Sequence, residues 1–410
     1  MEEWKEYKLG EIFDFNNGLS KGGKFFGHGY DFVSFKTVFK NHFLPNTLDD
    51  LVESSKKERE KFSIKEGDVF LTRTSETQNE LAYSCVALKD YPNATYNGFT
   101  KRLRPNGKIK IDSIFSAYFF RSAIFRNQVT SMSNMVTRAS LSNEMLDRMS
   151  IKIPSYDLQK TIGKILFSFD AKIQLNKRIN DNLEQQAQAL FKSWFVEKPN
   201  PQWTKGSLSD IASFVGGYSY KGDELVDSSN TGMATIKNYN RSGGFKTDGF
   251  KAINPSDKVK NAQYAELFEI LVAHTDLTQN AEVIGNAELV LSLGEYNKII
   301  FSMDLVKVLP SSSFPYRFLI AAMLKNKLFK GHCQGYVNGT TVLHLNKKAL
   351  PEYKVMIPTD TEAKKMNEIL GGYYKRMSEN LKENDMLEQL RDTILPKLMS
   401  GELKINDLNC

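Results

Sequence analysis

Apolar positions along the chain repeat in two different rhythms, and each rhythm occurs twice. Trp4, Leu9, Ile12 and Phe15 are spaced as a strand followed by a short helical turn, and Trp203, Leu208, Ile211 and Phe214 repeat that spacing 199 residues later. Short β-rich runs bounded by Gly, Asn or Pro follow at 68–72, 86–88 and 99–103, then at 270–273, 283–285 and 299–308. Helical spacing is read over 114–125 and 315–329. After Pro154 and again after Pro358 the rhythm changes to steps of three and four that persist for about forty residues. Thr359 with Glu362 three positions later forms a capping box at the second start.

The pattern defines an A-B-A-B chain. Asp68–Thr74 resembles Glu269–Thr275 at an offset of 201, and Ile151–Pro154 matches Val355–Pro358 at 204. We therefore expect an α+β protein with two tandem domains separated by two long, antiparallel, coiled-coil-like helices, a pseudo-twofold internal repeat. The expected parts are 1–153 and 198–357 for the domains, and 154–197 and 358–410 for the helices.

The helical seam reads Ile162, Phe169, Ile173, Asn176, Asn180 and Leu183 in the first copy. In the second it reads Met366, Tyr373, Met377, Asn380, Asn384 and Leu387. A helix of about 40 residues is about 60 Å long, more than one domain of this size can cover. The two helices are expected to pack on each other, with the seam asparagines fixing register. The competing arrangement folds each helix onto its own domain. Seven residues added to each helix, after Asn180 and after Asn384, are expected to preserve the seams.

Composition narrows the function. Hydrophobic residues make up 41% and charged residues 25% of 410, as in an ordinary globular protein. No run of about 18 apolar residues occurs, so no membrane span is expected. Cys85, Cys333 and Cys410 are far apart and make no CxxC pair, which fits a reducing cytoplasm. The net charge is +7, with a sequence pI near 8.9, and no single basic tail carries it. A polyanion surface must therefore be assembled by folding.

No phosphate loop, nucleophile elbow or HExxH motif is present, and His28, His42, His274, His332 and His344 make no ligand-spaced set. Glu352-Tyr-Lys354 and Glu402-Leu-Lys404 are ExK fragments without a suitably placed upstream aspartate. What remains is a binding surface. Lys21, Lys24, Arg73, Lys101, Arg102, Arg104 and Arg138 gather in loops of the first domain. Lys221, Lys237, Asn238, Asn240, Arg241 and Lys246 do so in the second. Arg and Asn can read base edges, and Lys neutralises phosphate. On this reading Lys101, Arg102 and Arg104 are exposed, DNA-facing cations whose removal leaves the fold intact. A protein scaffold whose helices recruit partners is the alternative.

Several strings carry a family resemblance. Ala189-Leu-Phe-Lys-Ser-Trp-Phe-Val196, Leu158-Gln-Lys-Thr-Ile-Gly-Lys-Ile-Leu166 and Ile394-Leu-Pro-Lys-Leu-Met-Ser-Gly-Glu-Leu403 resemble segments of specificity (S, or HsdS) subunits of Type I restriction–modification enzymes. Gly339-Thr340-Thr341 before Leu345-Asn346 resembles the segment that closes that family's recognition domain, which adds Thr340 and Thr341 to the DNA-binding candidates. The first copy departs from this, with Met135–Ser140 in place of Gly-Thr-Thr.

The resemblance implies two target recognition domains, each reading half of a split double-stranded DNA sequence, with the helices setting the distance between halves. It implies a chain without catalytic residues, metal or cofactor of its own. Two modification subunits would bind S-adenosylmethionine and methylate adenine. Two restriction subunits would use ATP and Mg.

Overall fold

The computed structural model describes residues 4–75, 80–132, 139–241, 243–278 and 280–404. They form two compact units. One comprises Met1–Lys172 with Leu387–Cys410, the other Ile173–Met386. The division falls inside both long helices, α1 (Tyr156–Lys192) and α2 (Asp360–Ser400). Each unit therefore contains one α+β domain, the first half of one helix and the last part of the other.

Both domains are built on one plan. In the first, a four-stranded antiparallel sheet runs in the order Phe13–Asn17, Thr100–Pro105, Val69–Thr72, Ser84–Val86. In the second, the order is Ala212–Gly216, Leu305–Pro310, Ile270–Ala273, Ala287–Leu289. A second sheet holds a parallel pair in each: Phe26–Val33 beside Thr95–Tyr96, and Thr231–Ala234 beside Lys298–Phe301. A Cβ on Gly18 would collide with the carbonyl of Asn97, and one on Gly217 with that of Ser302. This close backbone approach at matching turns explains a glycine at both places.

Entry and exit of each domain are tied together. Lys5–Lys8 pairs antiparallel with Ser150–Ile153, and Thr204–Ser207 with Lys354–Ile357. The chain therefore leaves each domain where it entered, directly at the start of a long helix.

Three sequence expectations change here. The run 299–308 is two strands, Lys298–Phe301 and Leu305–Pro310, because a turn at Ser302–Asp304 carries the chain from one sheet to the other. Residues 283–285 are a turn with Gly285 at φ +77°, and the strand is Ala287–Leu289. The helical stretches break in two, at Ser122 and at Asn326. Ser122 donates its hydroxyl to the Phe119 carbonyl, and the Asn326 Oδ1 accepts from the amides of Leu328 and Phe329.

The helices pack in both of the ways contrasted above. The first half of α1 lies on the first domain, where Ile162 and Leu166 join its core with Ile394, Leu398 and Met399 of α2. The first half of α2 lies on the second domain, where Leu370, Tyr374 and Met377 join its core with Ala187 and Phe191 of α1. The buried stripe of α2 runs through Ala363, Leu370, Tyr374, Met377 and Asn384. The predicted Met366 and Tyr373 are only partly buried, because this half of the helix turns its face to the helix Arg317–Leu324, where the Tyr374 ring stacks on Phe318.

Between these segments the helices touch each other, running antiparallel. Asn176 Nδ2 donates to Asn384 Oδ1 at 3.0 Å, and Asn380 Nδ2 to Asn180 Oδ1 at 2.7 Å. Asn176 also donates to Glu383, and Asn180 to the Met377 carbonyl. In the first unit Arg391 of α2 pairs with Asp170 of α1 at 2.5 Å.

Candidate nucleic-acid interface

The structure separates the predicted cations into interior and exterior sets. Lys101, Arg102 and Arg104 lie on Thr100–Pro105, an inner strand of its sheet, so neighbours cover them on both sides. Lys101 is 3% exposed and donates to the side chains of Asn17 and Asn143. Burial depresses its pKa, and Arg73 nearby adds to the effect. Arg102 is 5% exposed and donates to the Ser63 carbonyl at 2.7 Å.

Arg104 grips the fully buried Asp68 carboxylate with two parallel hydrogen bonds of 2.7 and 2.6 Å. It also donates to the Ser63 carbonyl at 2.8 Å and to the Ser63 hydroxyl at 3.4 Å. The expectation that these three face solvent is therefore corrected. Lys101 and Arg102 are interior groups and the half-buried Arg104 is committed to Asp68, so removing the three strikes the fold first.

The second domain repeats the device with other residues. Lys307, on the matching strand, donates to both oxygens of Glu269 at 3.2 and 2.9 Å and to the Tyr264 carbonyl at 2.7 Å. Asp68 and Glu269 stand at matching places in the repeated strings, as do Ser63 and Tyr264 201 residues apart. That alignment was the available signal for a structural ion pair, and charge counting alone concealed it.

Lys21 is also engaged, donating to the Glu53 carbonyl and the Glu58 carboxylate at 2.7 and 2.9 Å, with its ammonium over the Phe25 ring. Lys24 is exposed beside the same ring. Arg73 is half-buried. Arg138 lies outside the described residues. Beside this set stands Phe99, 63% exposed at the tip of the turn before Thr100–Pro105. In the sequence it is an aromatic among cations.

In the second domain the fold gathers most of the candidates. Lys237, Asn240, Arg241 and Lys246 line one open cleft of about 880 Å³, together with Lys251 and Leu277. Leu277 is 65% exposed on the cleft wall, and neither it nor Lys251 was expected from sequence. The loop Asn240–Lys246 turns on Gly243 and Gly244, at φ +95° and +98°, a region open to glycine. Arg241 is exposed and pairs with Glu282 at 3.0 Å.

Asp276 also lines the cleft but points its charge into the backbone. Its carboxylate accepts from the amides of Thr278, Val283 and Ile284. Burial raises its pKa, but these bonds outweigh burial and leave the pKa lowered. Four cations, Lys237, Arg241, Lys246 and Lys251, thus line the cleft against one exposed acid, Asp248, among largely apolar neighbours.

Asn238 is not part of that surface. It is fully buried, donating to the Lys246 carbonyl at 2.7 Å and accepting from the Thr235 amide at 2.8 Å, so it shapes the loop. Lys221, Thr340 and Thr341 are exposed but do not line the cleft. A smaller cleft of the first domain, about 250 Å³, is lined by Asp49 and Asp50 and by none of the predicted cations. Among the described residues no group of three His, Cys, Asp or Glu side chains could hold a metal ion. Nor is any described helix long and apolar enough to cross a membrane.

Two α+β domains of one plan, each carried on parts of two antiparallel helices, and a basic cleft in one of them define a tandem-repeat binding protein. The chain belongs to the Type I restriction modification DNA specificity domain family, whose model matches residues 1–185 and 200–389.

It is 28% identical over 220 residues to the Type I restriction enzyme HindI specificity subunit of Haemophilus influenzae, a match covering 51% of this chain and 44% of that protein. It is 23% identical over 344 residues to the MjaIX specificity subunit of Methanocaldococcus jannaschii, covering 79% and 76%. The match thus spans less than half of the Haemophilus relative. The crystal structure of a Type-I restriction-modification system S subunit from M. genitalium shares the fold, with a TM-score of 0.57 at 16% identity over 97% of this chain and 96% of that one.

Proposed function

We propose that the chain reads a bipartite double-stranded DNA target and directs adenine methylation and restriction by partner subunits of a Type I restriction–modification complex. The observation that carries this reading is the family match to both tandem segments, which fold on one plan yet carry different surface loops. Equivalent frames with unlike loops suit two half-sites of unlike sequence. Two half-sites one helical turn apart, roughly 34 Å, lie on one face of the duplex.

In this reading 1–153 and 198–357 are the target recognition domains, and 154–197 and 358–410 are the spacers that set the distance between half-sites. The chain is non-catalytic and binds no cofactor. S-adenosylmethionine belongs to two modification subunits, ATP and Mg to two restriction subunits, and the complex works in the cytoplasm. In the second domain the cleft cations Lys237, Lys246 and Lys251 neutralise phosphates, and Asn240 and Arg241, which line the same cleft, are the candidates for base reading.

The test is a segment exchange. Residues 203–354 are replaced by the matching segment of a related subunit, and the methylated motif is read by long-read sequencing in cells that supply the modification subunit. One half-site should change and the other should stay. A change in both halves overturns the two-reader model.

A further inference from the structure

The loop that forms one wall of the basic cleft is tied to a helix. The backbone N–H of Gly244 donates to Glu288 Oε1 at 2.6 Å. The other oxygen of Glu288 pairs with the ammonium of Lys325, and the same ammonium lies 3.1 Å from Glu184 on α1. Lys325 and Glu288 are almost completely buried, at the end of Arg317–Leu324 and on Ala287–Leu289 respectively. Burial works against the Lys325 charge, but Glu184 first and Glu288 next hold it protonated.

One carboxylate would balance this ammonium. A second one, supplied by the helix, leaves the buried group with surplus negative charge, and the Gly244 amide dipole is aimed at it. Other contacts hold the far end of the loop, where Lys246 exchanges two hydrogen bonds with Asn238 and the Phe245 ring packs on Tyr239 and Phe250, and Arg241 pairs with Glu282. The Asn240 amide and carbonyl bond to the Gly244 carbonyl and to the Asn286 side chain, and the Gly243 amide bonds back to Asn240.

Among the described residues of the first domain the matching positions are occupied differently. Arg121 stands where Lys325 stands, 204 residues earlier, and donates to the backbone carbonyls of Ser84 and Asn41. Cys85, opposite Phe70, occupies the register position that Glu288 occupies opposite Leu271.

We propose that Glu184 is a positioning residue for DNA reading: through Lys325 and Glu288 it fixes the cleft loop at Gly243 and Gly244, so helix α1 governs recognition of the second half-site alone. The inference rests on the reading of the cleft as a DNA surface. Glu184 touches no DNA in this scheme. Its charge sets the field that holds Lys325 and Glu288 in line, and Glu288 then orders the loop backbone.

The experiment uses the full chain with Glu184→Gln, which keeps size and removes charge. Amide hydrogen exchange at Gly244 and Gly243 should accelerate about tenfold, while the strand Leu305–Pro310 exchanges as in the wild type. With the modification subunit present, the methylated motif should relax in one half only. Glu184→Asp, which keeps the charge on a shorter arm, should restore part of the protection.

Unchanged exchange at Gly244, or equal relaxation of both halves, overturns the proposal. If Glu184→Gln does not fold, Glu184→Asp alone decides by the same exchange measurement. Faster exchange with an unaltered motif would locate the failure in the DNA reading of the cleft, with the relay itself intact.

Discussion

Asn176 and Asn384 meet side chain to side chain at 3.0 Å, and exchanging the two helices turns this pair into Asn380 and Asn180 at 2.7 Å. An offset of 204 maps each member of one pair onto a member of the other, so the contact is isologous. An amide at such a position stabilises little beyond an apolar residue but penalises every shifted register. Asn384→Ala should leave the buried Asn176 amide short of a partner and cost about 1–3 kcal/mol. Asn176→Leu with Asn384→Leu should melt near or above the wild type yet methylate less selectively. Urea melts with motif sequencing check both, and a selective double variant would remove the register role.

The pairing of the half-buried Arg104 with the buried Asp68 predicts a stability effect of its own. Arg104→Ala strands the Asp68 carboxylate, which is fully buried, and should cost about 3–5 kcal/mol. A variant that unfolds like the wild type in urea would contradict the assignment of this ion pair.

The cleft lysines, Lys237 exposed and Lys246 and Lys251 half-buried, should behave in the opposite way. Lys237→Ala, Lys246→Ala and Lys251→Ala together should leave the melting midpoint nearly unchanged. The slope of log affinity against log salt should become shallower by about 0.9 for each phosphate that is no longer neutralised. Titration of duplex DNA at several salt concentrations measures it, and a slope equal to that of the wild type would show that the cleft does not hold phosphate.

Asp170, the more deeply buried of the carboxylates that folding depresses in the first unit, should contribute acid sensitivity. Burial pushes its pKa up, but the His42 ring 3.7 Å away and hydrogen bonds from Tyr118 and Arg391 bring it down to about 2 from an ordinary 3.8. A carboxylate depressed by folding adds stability that is full above its unfolded pKa and is lost as pH falls through the folded one. The first unit should therefore lose on the order of 2 kcal/mol between about pH 5 and pH 2. Asp170→Asn should be less stable at pH 7 and vary less over that range. Chemical melts at pH 7, 4 and 2.5 give the comparison, and equal pH dependence in both proteins would refute it.

Much of the fold was legible because it occurs twice. The matched strings around Trp4 and Trp203 located the domain starts, and the long steps of three and four located both helices. What stayed hidden is what depends on which face meets which neighbour. Charge in the string Lys101-Arg102-Leu103-Arg104 reads as surface until its strand is known to be an inner one. Lys251 and Leu277 are ordinary by themselves and gain a role only when the fold sets them on one cleft. Tyr374 displaces Tyr373 from the buried stripe because that half of α2 faces its own domain, a choice that periodicity leaves open.

Helix register also corrects where a spacer can be lengthened. Insertions after Asn180 and after Asn384 fall on opposite sides of the paired asparagines in an antiparallel pair, and would put the flanking layers out of step. The midpoint of the pairing lies between Asn176 and Asn180 on α1 and between Asn380 and Asn384 on α2. One heptad after Arg178 and one after Lys382 would lengthen both helices within the same layer, by about 10 Å and with about 20° of rotation.

The most direct test of the account is the motif methylated by this double insertion in the complex with its modification subunit, read by long-read sequencing. Both half-sites should be those of the wild type, with the unread spacer longer by about three base pairs, the DNA length that matches about 10 Å. An active enzyme with the original spacer, or with altered half-sites, would contradict a helical ruler between two independent readers.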